Sequence, residues 1–359
     1  MAEDEWSLKV HDAYTGAPVR SVTSVDSKWS TSLAGDGVST ETIVVNDAEN
    51  PWPHGDVANL FRPKARIIAR WWGGSPLYAH LIEDWDYDKD AGTVTVEAAD
   101  LLGEADWRMV DGVGADKYST LTVTRRTPSG AIAAALARMM QWGWEWQYPI
   151  DLPADAPGEI DGSWPFWKKH RISDIIKQIE DRAGVETYLR PYATADGGIR
   201  FQTRVGGPIT IGSTLLHLDA DETPIAGVRY RVDGKKQITG LLGVGNGSGE
   251  DQETAWRGGI IRIPIRDIKE SFPDLTGDAL GQATEQYYLR NVDPVTQWSI
   301  GSYTIGDGYP PELAAPGRLW QVNSVGDPVI PDGVHPIRVI KASGTNGRQI
   351  QTEVQSAAA

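Results

Sequence analysis

The chain has 359 residues and no cysteine, and 34 Lys and Arg stand against 49 Asp and Glu, which gives a formal net charge of −15. The absence of cysteine excludes a disulfide framework, a thiolate metal site and a cysteine nucleophile. The negative charge argues against a protein that grips nucleic acid through phosphate contacts. A hydrophobic fraction of 40% and a charged fraction of 23% are typical of folded globular proteins, and the length allows two or three domains.

The first 110 residues predict a small β-domain. Short segments rich in β-branched and aromatic residues alternate with turn-forming sequence, which is typical of a small barrel or sandwich. The strand-like segments are residues 41–45, 65–72 and 93–97, and the turns lie at 50–53, 73–76 and 88–92.

The hydrophobic period then changes from two to about 3.6. Thr127 and Pro128 form a helix start, and apolar residues follow at helical spacing up to Met140. A second amphipathic helix is predicted from Ile172 until Gly184 ends it. The two segments that follow, 185–190 and 199–205, flank an Asp-Gly turn and predict a β-hairpin.

From residue 214 onward strand patterns return, with one more helix at 276–291 that places Leu280, Ala283 and Tyr287 on one face. We therefore predict an α+β, mainly β fold with two small β-barrel-like domains, an inserted two-helix α/β domain and a further helix in the C-terminal half. The predicted boundaries are 1–112 for the first β-domain, 113–213 for the insert and 214–359 for the second β-domain.

An acidic ladder is the sharpest candidate for a metal site. Asp86, Asp88, Asp90 and Glu97 fall at positions 1, 3, 5 and 12 of a calcium loop, in which alternate oxygens surround a hard cation. The sixth position is Ala91 rather than glycine, and the sequence after it alternates like a strand. A solvated hairpin tip is therefore the favoured interpretation, with calcium as the alternative.

The aromatic composition is lopsided, with 15 Trp and 12 Tyr but only 4 Phe, and amphipathic aromatics are enriched where a surface becomes an interface. Four tryptophans are candidate contacts for a partner or a glycan: Trp71, Trp72, Trp144 and Trp164. The alternative is that these rings belong to the core. Adjacent rings in a strand point to opposite faces, so at least one of Trp71 and Trp72 is expected to be covered by a neighbouring subunit.

Other motifs do not favour an enzyme. The glycine-rich segment 243–249 lacks the helix start and the Gly-Lys-Ser/Thr sequence of a phosphate loop, and the six histidines show no metal-ligand spacing. No serine lies in a nucleophile elbow. We predict no catalytic residue and no cofactor.

The order of elements resembles the tail-hub family of phages, which includes minor tail proteins of long-tailed phages of actinobacteria and the hub proteins of other siphophages and myophages. The resemblance rests on a β-domain ending in the hairpin 77–102, a two-helix insert containing 172–185, and a second β-domain with a helix at 279–289 just before 316–322. It implies a homotrimeric ring beneath the distal tail protein that lets the tape measure protein and DNA pass at ejection. Contacts with other tail-tip or receptor-binding proteins are implied too.

Two further functions are kept as alternatives: a carbohydrate-binding module that holds host surface glycan through Trp-rich segments, and a cell-wall hydrolase. The N-terminal sequence is acidic, and the sequence contains no apolar run long enough to span a bilayer. We therefore expect synthesis in the cytoplasm of the bacterial host and a final location at the virion tail tip.

Overall fold

The computed structural model describes residues 6–45, 52–53, 55–112, 114–142, 144–145, 148–259, 264–273 and 275–356. The chain divides into two compact units: a larger one made of Met1–Gly227 and Ile300–Ala359, and a smaller one made of Val228–Ser299. The division into three domains stays a prediction.

The strands of the described residues are β1 (Trp6–Asp12), β2 (Pro18–Val22), β3 (Ser24–Ser32), β4 (Val38–Val44), β5 (Arg66–Trp72), β6 (Ser75–Asp88), β7 (Thr93–Asp100), β8 (Thr120–Arg126), β9 (Gln141–Trp142), β10 (Trp144–Glu145), β11 (Ile150–Asp151), β12 (Ile160–Pro165), β13 (Glu186–Ala193), β14 (Ile199–Gly206), β15 (Ser213–His217), β16 (Ile225–Ala226), β17 (Arg229–Asp233), β18 (Gly240–Val244), β19 (Thr254–Gly258), β20 (Asp267–Ser271), β21 (Val295–Ser299), β22 (Ser302–Thr304), β23 (Leu319–Ser324), β24 (Gly333–Gly344) and β25 (Gln349–Ser356). The α-helices are α1 (Asp56–Leu60), α2 (Pro128–Met139), α3 (Ile172–Ala183) and α4 (Gly277–Asn291).

A 13-stranded sheet dominates the larger unit, and it contains strands from both ends of the sequence. Its order is β16-β22-β25-β24-β3-β4-β7-β6-β5-β1-β2, and β23 and β15 branch from β24. The junction is the antiparallel pairing of β24 with β3, in which Lys341 lies opposite Ser32 and Gly344 lies opposite Trp29. The two strand-rich regions of the sequence therefore share one backbone hydrogen-bond network.

Both faces of β5 and of the first half of β6 are buried, which explains why residues 67–72 and 77–82 read as nearly continuous apolar runs. On one face Ile68 and Ile82 join a core with residues of β1, β4 and β7. On the other face Ile67 and Leu81 join a second core, which includes the apolar sides of α2 and α3. The helical layer thus packs on a sheet.

The two helices begin and end where local chemistry requires. The Thr127 hydroxyl accepts a hydrogen bond from the Gly130 amide at 3.2 Å, and Pro128 occupies the first turn of α2. Helix α3 buries Ile172, Ile175, Ile176 and Ile179 on one side and ends at Gly184, whose φ of 64° is left-handed.

Replacing Thr127 by Ala is expected to lower the free energy of unfolding by about 1 kcal/mol, because the Gly130 amide loses its capping acceptor. Urea unfolding measures this change. Thr276 precedes α4 at the equivalent position but makes no capping hydrogen bond, so Thr276→Ala is the matched control and is expected to change stability by only a few tenths of a kcal/mol. Equal effects of the two substitutions would contradict the capping role of Thr127.

The smaller unit has its own sheet, helix and core. Strands β19, β18 and β20 form a three-stranded sheet, and β17 pairs with β21 as a separate ribbon. Helix α4 packs on β18 and β19 and buries Leu280, Thr284 and Tyr288. The buried face of α4 is therefore turned by one residue from the predicted set, because Ala283 and Tyr287 are only half-buried.

The predicted α+β, mainly β fold is confirmed. The described strands of the large sheet follow an open path from β16 to β2 and do not close into a barrel. No helix among the residues described here is both long and apolar enough to cross a membrane.

Candidate functional site

Trp71 and Trp72 point to opposite faces of β5, as predicted, but the chain itself covers both rings. Trp71 is 2% exposed in the helix-facing core, where the Lys9 ammonium lies 4.0 Å from its ring centre. Trp72 is 7% exposed and meets Trp6 edge to face, with ring centres 4.9 Å apart. The expectation that a neighbouring subunit must cover one of these rings is therefore wrong, because Trp6 and the helical layer supply that cover.

Trp164 is buried as well. It lies in β12 against the helical core, and its indole nitrogen donates a hydrogen bond to the Gln178 side chain at 3.0 Å. The backbone of Trp144 belongs to β10, but its side chain lies outside the described residues. A partner or glycan contact for Trp71, Trp72, Trp144 and Trp164 stays a prediction, and burial gives it no support for three of the four.

The four calcium candidates do not converge. Asp86 and Asp88 lie in β6, Asp90 lies in the turn and Glu97 lies in β7, opposite Asp84. Glu97 is four residues along the ladder from the position opposite Asp88, a separation of about 13 Å, whereas calcium ligands lie about 2.4 Å from the ion. The Asp88 carboxylate accepts the amides of Asp90 and Ala91, each at 2.9 Å, and so stabilises the turn. Nowhere in the described ranges do three or more His, Asp or Glu residues form a group that could hold a metal.

Three large aromatic residues outside the candidate set are strongly exposed. Trp107 is 78% exposed, Tyr118 is 75% exposed and Trp167 is 66% exposed. Composition indicated an interface rich in Trp and Tyr, and Trp167 lies in a Trp-rich stretch at 142–167, but Trp107 and Tyr118 were not singled out because neither lies in a periodic segment. Their sequence neighbours are the available signal: Lys117 precedes Tyr118, and Lys168, Lys169 and Arg171 follow Trp167.

A buried polar cluster holds the centre of the large sheet. The Arg70 guanidinium lies 3.0 Å from the Glu41 carboxylate, and both side chains are almost completely buried. Glu41 also accepts hydrogen bonds from the hydroxyls of Ser27 and Tyr78. Burial and the Glu41 charge raise the pKa of Tyr78 well above its usual value, so the hydroxyl stays protonated and donates. We call Arg70, Glu41, Tyr78 and Ser27 the buried cluster.

The buried cluster is joined to the loop between β24 and β25. Arg70 donates to the Asn346 side chain at 2.7 Å. The indole nitrogen of Trp29 donates to the Thr345 carbonyl at 3.1 Å, and that of Trp6 donates to the Gly347 carbonyl at 3.0 Å. These hydrogen bonds, together with the β3–β24 pairing, fix the C-terminal hairpin against the N-terminal strands.

A cavity of about 580 Å³ lies between the end of β3, helix α3 and the strands β24 and β25. Its charged lining is of mixed sign, with five carboxylates and three cations: Asp36, Asp106, Glu180, Glu186 and Glu353, and Lys177, Arg338 and Lys341. Arg338 is already bound to Glu186, with 2.8 Å between Nη2 and Oε1, and to Gln355 at 2.7 Å. Carboxylates therefore outnumber cations in the lining, and Arg338 is already paired.

Asp100 at the end of β7 is expected to make stability fall with rising pH. Burial, with a contribution from the Asp36 charge, raises its pKa to about 6, above the ordinary value of 3.8. The folded state therefore favours the protonated carboxyl, and this stabilisation is lost as the pH rises through 6. Relative to Asp100→Asn, the wild-type chain is expected to lose roughly 1–3 kcal/mol between pH 4 and pH 7, measured by urea unfolding at each pH.

The exposed Asp327 provides a control of opposite sign. The amides of Ile330 and Val329 lower its pKa, so its stabilisation is present above the unfolded-state pKa and is lost as the pH falls through the lowered value. Asp327→Asn should accordingly show its stability deficit at neutral pH and lose it in acid. A pH-independent difference between the wild type and Asp100→Asn would contradict the assignment.

No family model matches the chain, and no curated protein matches it by sequence. Several solved structures match over nearly its full length. A prophage MuSo2 tail protein from Shewanella oneidensis has a TM-score of 0.55 at 12% identity, over 98% of this chain and 97% of that one. A tail protein from Neisseria meningitidis MC58 has a TM-score of 0.52 at 13% identity, over 98% of this chain and 96% of that one.

A third match is an E. coli component of the type VI secretion system, which is described as structurally similar to bacteriophage T4 tail proteins. Its TM-score is 0.50 at 8% identity, over 94% of this chain and 74% of that one. These identities are low, so the likeness concerns the fold. The chain therefore has the fold of phage tail proteins, in agreement with the resemblance in element order.

Proposed function

We propose that the chain is a structural subunit of a phage tail tip, a baseplate-hub-like protein that forms a ring at the distal end of the tail tube. The observation that carries the proposal is the end-to-end fold match, which covers 98% of this chain and 97% of the prophage tail protein from Shewanella oneidensis. A match of this extent includes both strand-rich regions and the helical layer between them.

The architecture of the large sheet supports a scaffold role. Strands from both ends of the sequence share one hydrogen-bond network, and the buried cluster holds the C-terminal hairpin loop in place. The sheet path ends at β2 and β16, and unpaired strand edges are available for pairing with another chain. In the proposed ring, neighbouring subunits cover such edges.

The charge of the chain fits a conduit for DNA. A formal charge of −15 disfavours phosphate contacts, so a nucleic acid passing through a ring of such subunits meets repulsion rather than retention. The proposed ring is a homotrimer that contacts the distal tail protein, surrounds the tape measure protein before ejection and carries other tail-tip or receptor-binding proteins. Its proposed location is the virion tail tip, after synthesis in the host cytoplasm.

Two measurements test the proposal. Sedimentation equilibrium of the full chain is expected to give a mass of three subunits, and cryo-electron microscopy of the particle is expected to place the subunit at the tail tip. A subunit found elsewhere in the particle would refute the tail-tip role. A zymogram with the assembled protein tests the hydrolase alternative. Clearing of the cell wall that a single carboxylate substitution abolishes would contradict a purely structural role.

A further inference from the structure

A surface of the larger unit combines exposed aromatic rings with basic side chains. Two segments, 107–119 and 166–171, lie side by side in the fold: the Val110 amide donates to the His170 carbonyl at 2.8 Å, and the Phe166 amide donates to the Ser119 carbonyl at 3.0 Å. We call their exposed side chains the aromatic–basic patch. It consists of Trp107, Met109, Lys117, Tyr118, Trp167, Lys168 and Arg171.

The charge of this patch is opposite to that of the chain. The two segments contain five Lys and Arg residues against two Asp residues, in a protein whose net charge is −15. Within the part of the chain that the structure describes, Lys117 and Lys168 form no ion pair and instead lie 4.7 Å and 5.4 Å from the ring centres of Tyr118 and Trp167. Rings and cations that remain exposed together are typical of binding hot spots.

A surface of the opposite charge lies on the hairpin of β6 and β7. Residues 84–97 contain five Asp and Glu residues and one Lys, and Tyr87 is 43% exposed among them. We call this segment the acidic hairpin. Its five carboxylates have no basic partner among the residues placed by the structure. The hairpin is also the motif whose calcium interpretation the geometry does not support.

The tip of the acidic hairpin lies far from the aromatic–basic patch of the same chain. Strand β7 (Thr93–Asp100) runs from the tip of the acidic hairpin to the 3-10 helix Leu101–Asp106, which leads directly to Trp107. Eight extended residues span about 26 Å, so the tip cannot reach the patch of its own chain. A patch-to-hairpin contact between copies is made either twice across a two-fold axis or head to tail, and the head-to-tail arrangement closes into a ring when the rotation between copies allows it.

We propose that the aromatic–basic patch binds the acidic hairpin of a second copy of this chain, with Tyr87 packing among the exposed rings and the carboxylates facing Lys117, Lys168 and Arg171. The inference rests on the proposed function in that it names the contact through which the ring forms. Charge complementarity selects a copy of the chain as the occupant, because the copy carries the opposite charge and an exposed aromatic residue on one rigid hairpin.

A charge-exchange experiment on the full chain tests the contact. Lys117→Glu with Lys168→Glu reverses the charge at two positions of the patch, and Asp86→Lys with Asp90→Lys reverses it at two positions of the hairpin and keeps the turn-stabilising Asp88. Each pair alone is expected to weaken self-association at least tenfold by sedimentation velocity, and the chain carrying all four changes is expected to recover it. Misfolding cannot produce this recovery, so the rescue separates the contact from a loss of stability.

Lys28→Glu with Lys236→Glu is the matched control for the patch variant. It changes the net charge by the same amount as Lys117→Glu with Lys168→Glu, but at two exposed lysines outside the patch. It is expected to leave self-association within about twofold of the wild type. Any of three results would overturn the proposal: the wild-type protein stays monomeric, the variants with one pair of changes assemble normally, or the variant with all four changes does not recover self-association. Specific glycan binding that Trp167→Ala abolishes while self-association persists would also overturn it.

The outcomes separate this contact from the proposed function. If the chain lies at the tail tip but assembles through other surfaces, the hub role is supported and the proposed contact is refuted. If the chain passes the charge-exchange test but lies elsewhere in the particle, the proposed contact is supported and the hub role is refuted.

Discussion

Arg70→Met is expected to lower the free energy of unfolding by about 3–5 kcal/mol, because it leaves the Glu41 carboxylate buried without its cation. The Asn346 side chain loses its Arg70 donor at the same time, which removes one of the hydrogen bonds that join the C-terminal hairpin loop to the N-terminal strands. Equilibrium urea unfolding of the full chain measures the loss. The matched control is Lys177→Met, which breaks an exposed pair with Asp181 and is expected to cost about 0.5 kcal/mol or less.

A second variant separates the buried charge from lost packing. Arg70→Met combined with Glu41→Leu removes both charges, and we expect this double variant to be more stable than Arg70→Met alone. If Glu41→Leu gives no recovery in the Arg70→Met background, the uncompensated carboxylate is not the cause of the instability.

Gly16→Ala is expected to destabilise the larger unit by about 2 kcal/mol more than Gly197→Ala does. Both glycines have positive φ, 74° and 81°, so both substitutions carry the left-handed penalty of about 1–2 kcal/mol. A Cβ at Gly16 would lie 1.9 Å from the Ile199 carbonyl oxygen, whereas a Cβ at Gly197 would have nothing within 4 Å. The extra cost comes from the 2.9 Å hydrogen bond between the Ile199 amide and the Gly16 carbonyl, which the backbone must break to relieve the clash.

Urea unfolding of the two single variants measures this difference, and near-ultraviolet circular dichroism follows the tertiary packing of nearby aromatic residues. Equal destabilisation by the two substitutions would mean that the turn at Gly16 moves away from β14 at little cost.

Local features of the fold could be predicted because their causes are local. Thr127 and Pro128 start α2 and Gly184 ends α3, since capping and the left-handed region depend on a few neighbouring residues. The hairpin of β13 and β14 also follows from its own turn. The sequence pattern did not predict all of the residues of α4 that are buried. Thr284 is buried because it packs against Gly243 and its hydroxyl donates a hydrogen bond to the Leu280 carbonyl at 2.7 Å. A hydrophobicity pattern does not anticipate a buried threonine.

The candidate site was less predictable than the fold. The covering of Trp72 by Trp6 and of Trp71 by the helical layer depends on contacts between residues distant in sequence, which spacing does not reveal. The exposure of Trp107 and Trp167 also depends on the tertiary packing around them, which the sequence pattern does not reveal. The acidic hairpin could be located from sequence, but its failure as a calcium loop follows from the strand register that places Glu97 opposite Asp84.

The pairing of β3 with β24 has a consequence for biosynthesis. Trp29 and its neighbours emerge from the ribosome roughly 310 residues before the segment that pairs with them, Lys341–Gly344. At translation rates of about 5–20 residues per second, one edge of β3 waits roughly 15–60 s for its partner strand. Completion of the sheet therefore comes late in synthesis. Because β4 pairs with the opposite edge of β3, the waiting edge stays open to pairing with another polypeptide during that interval.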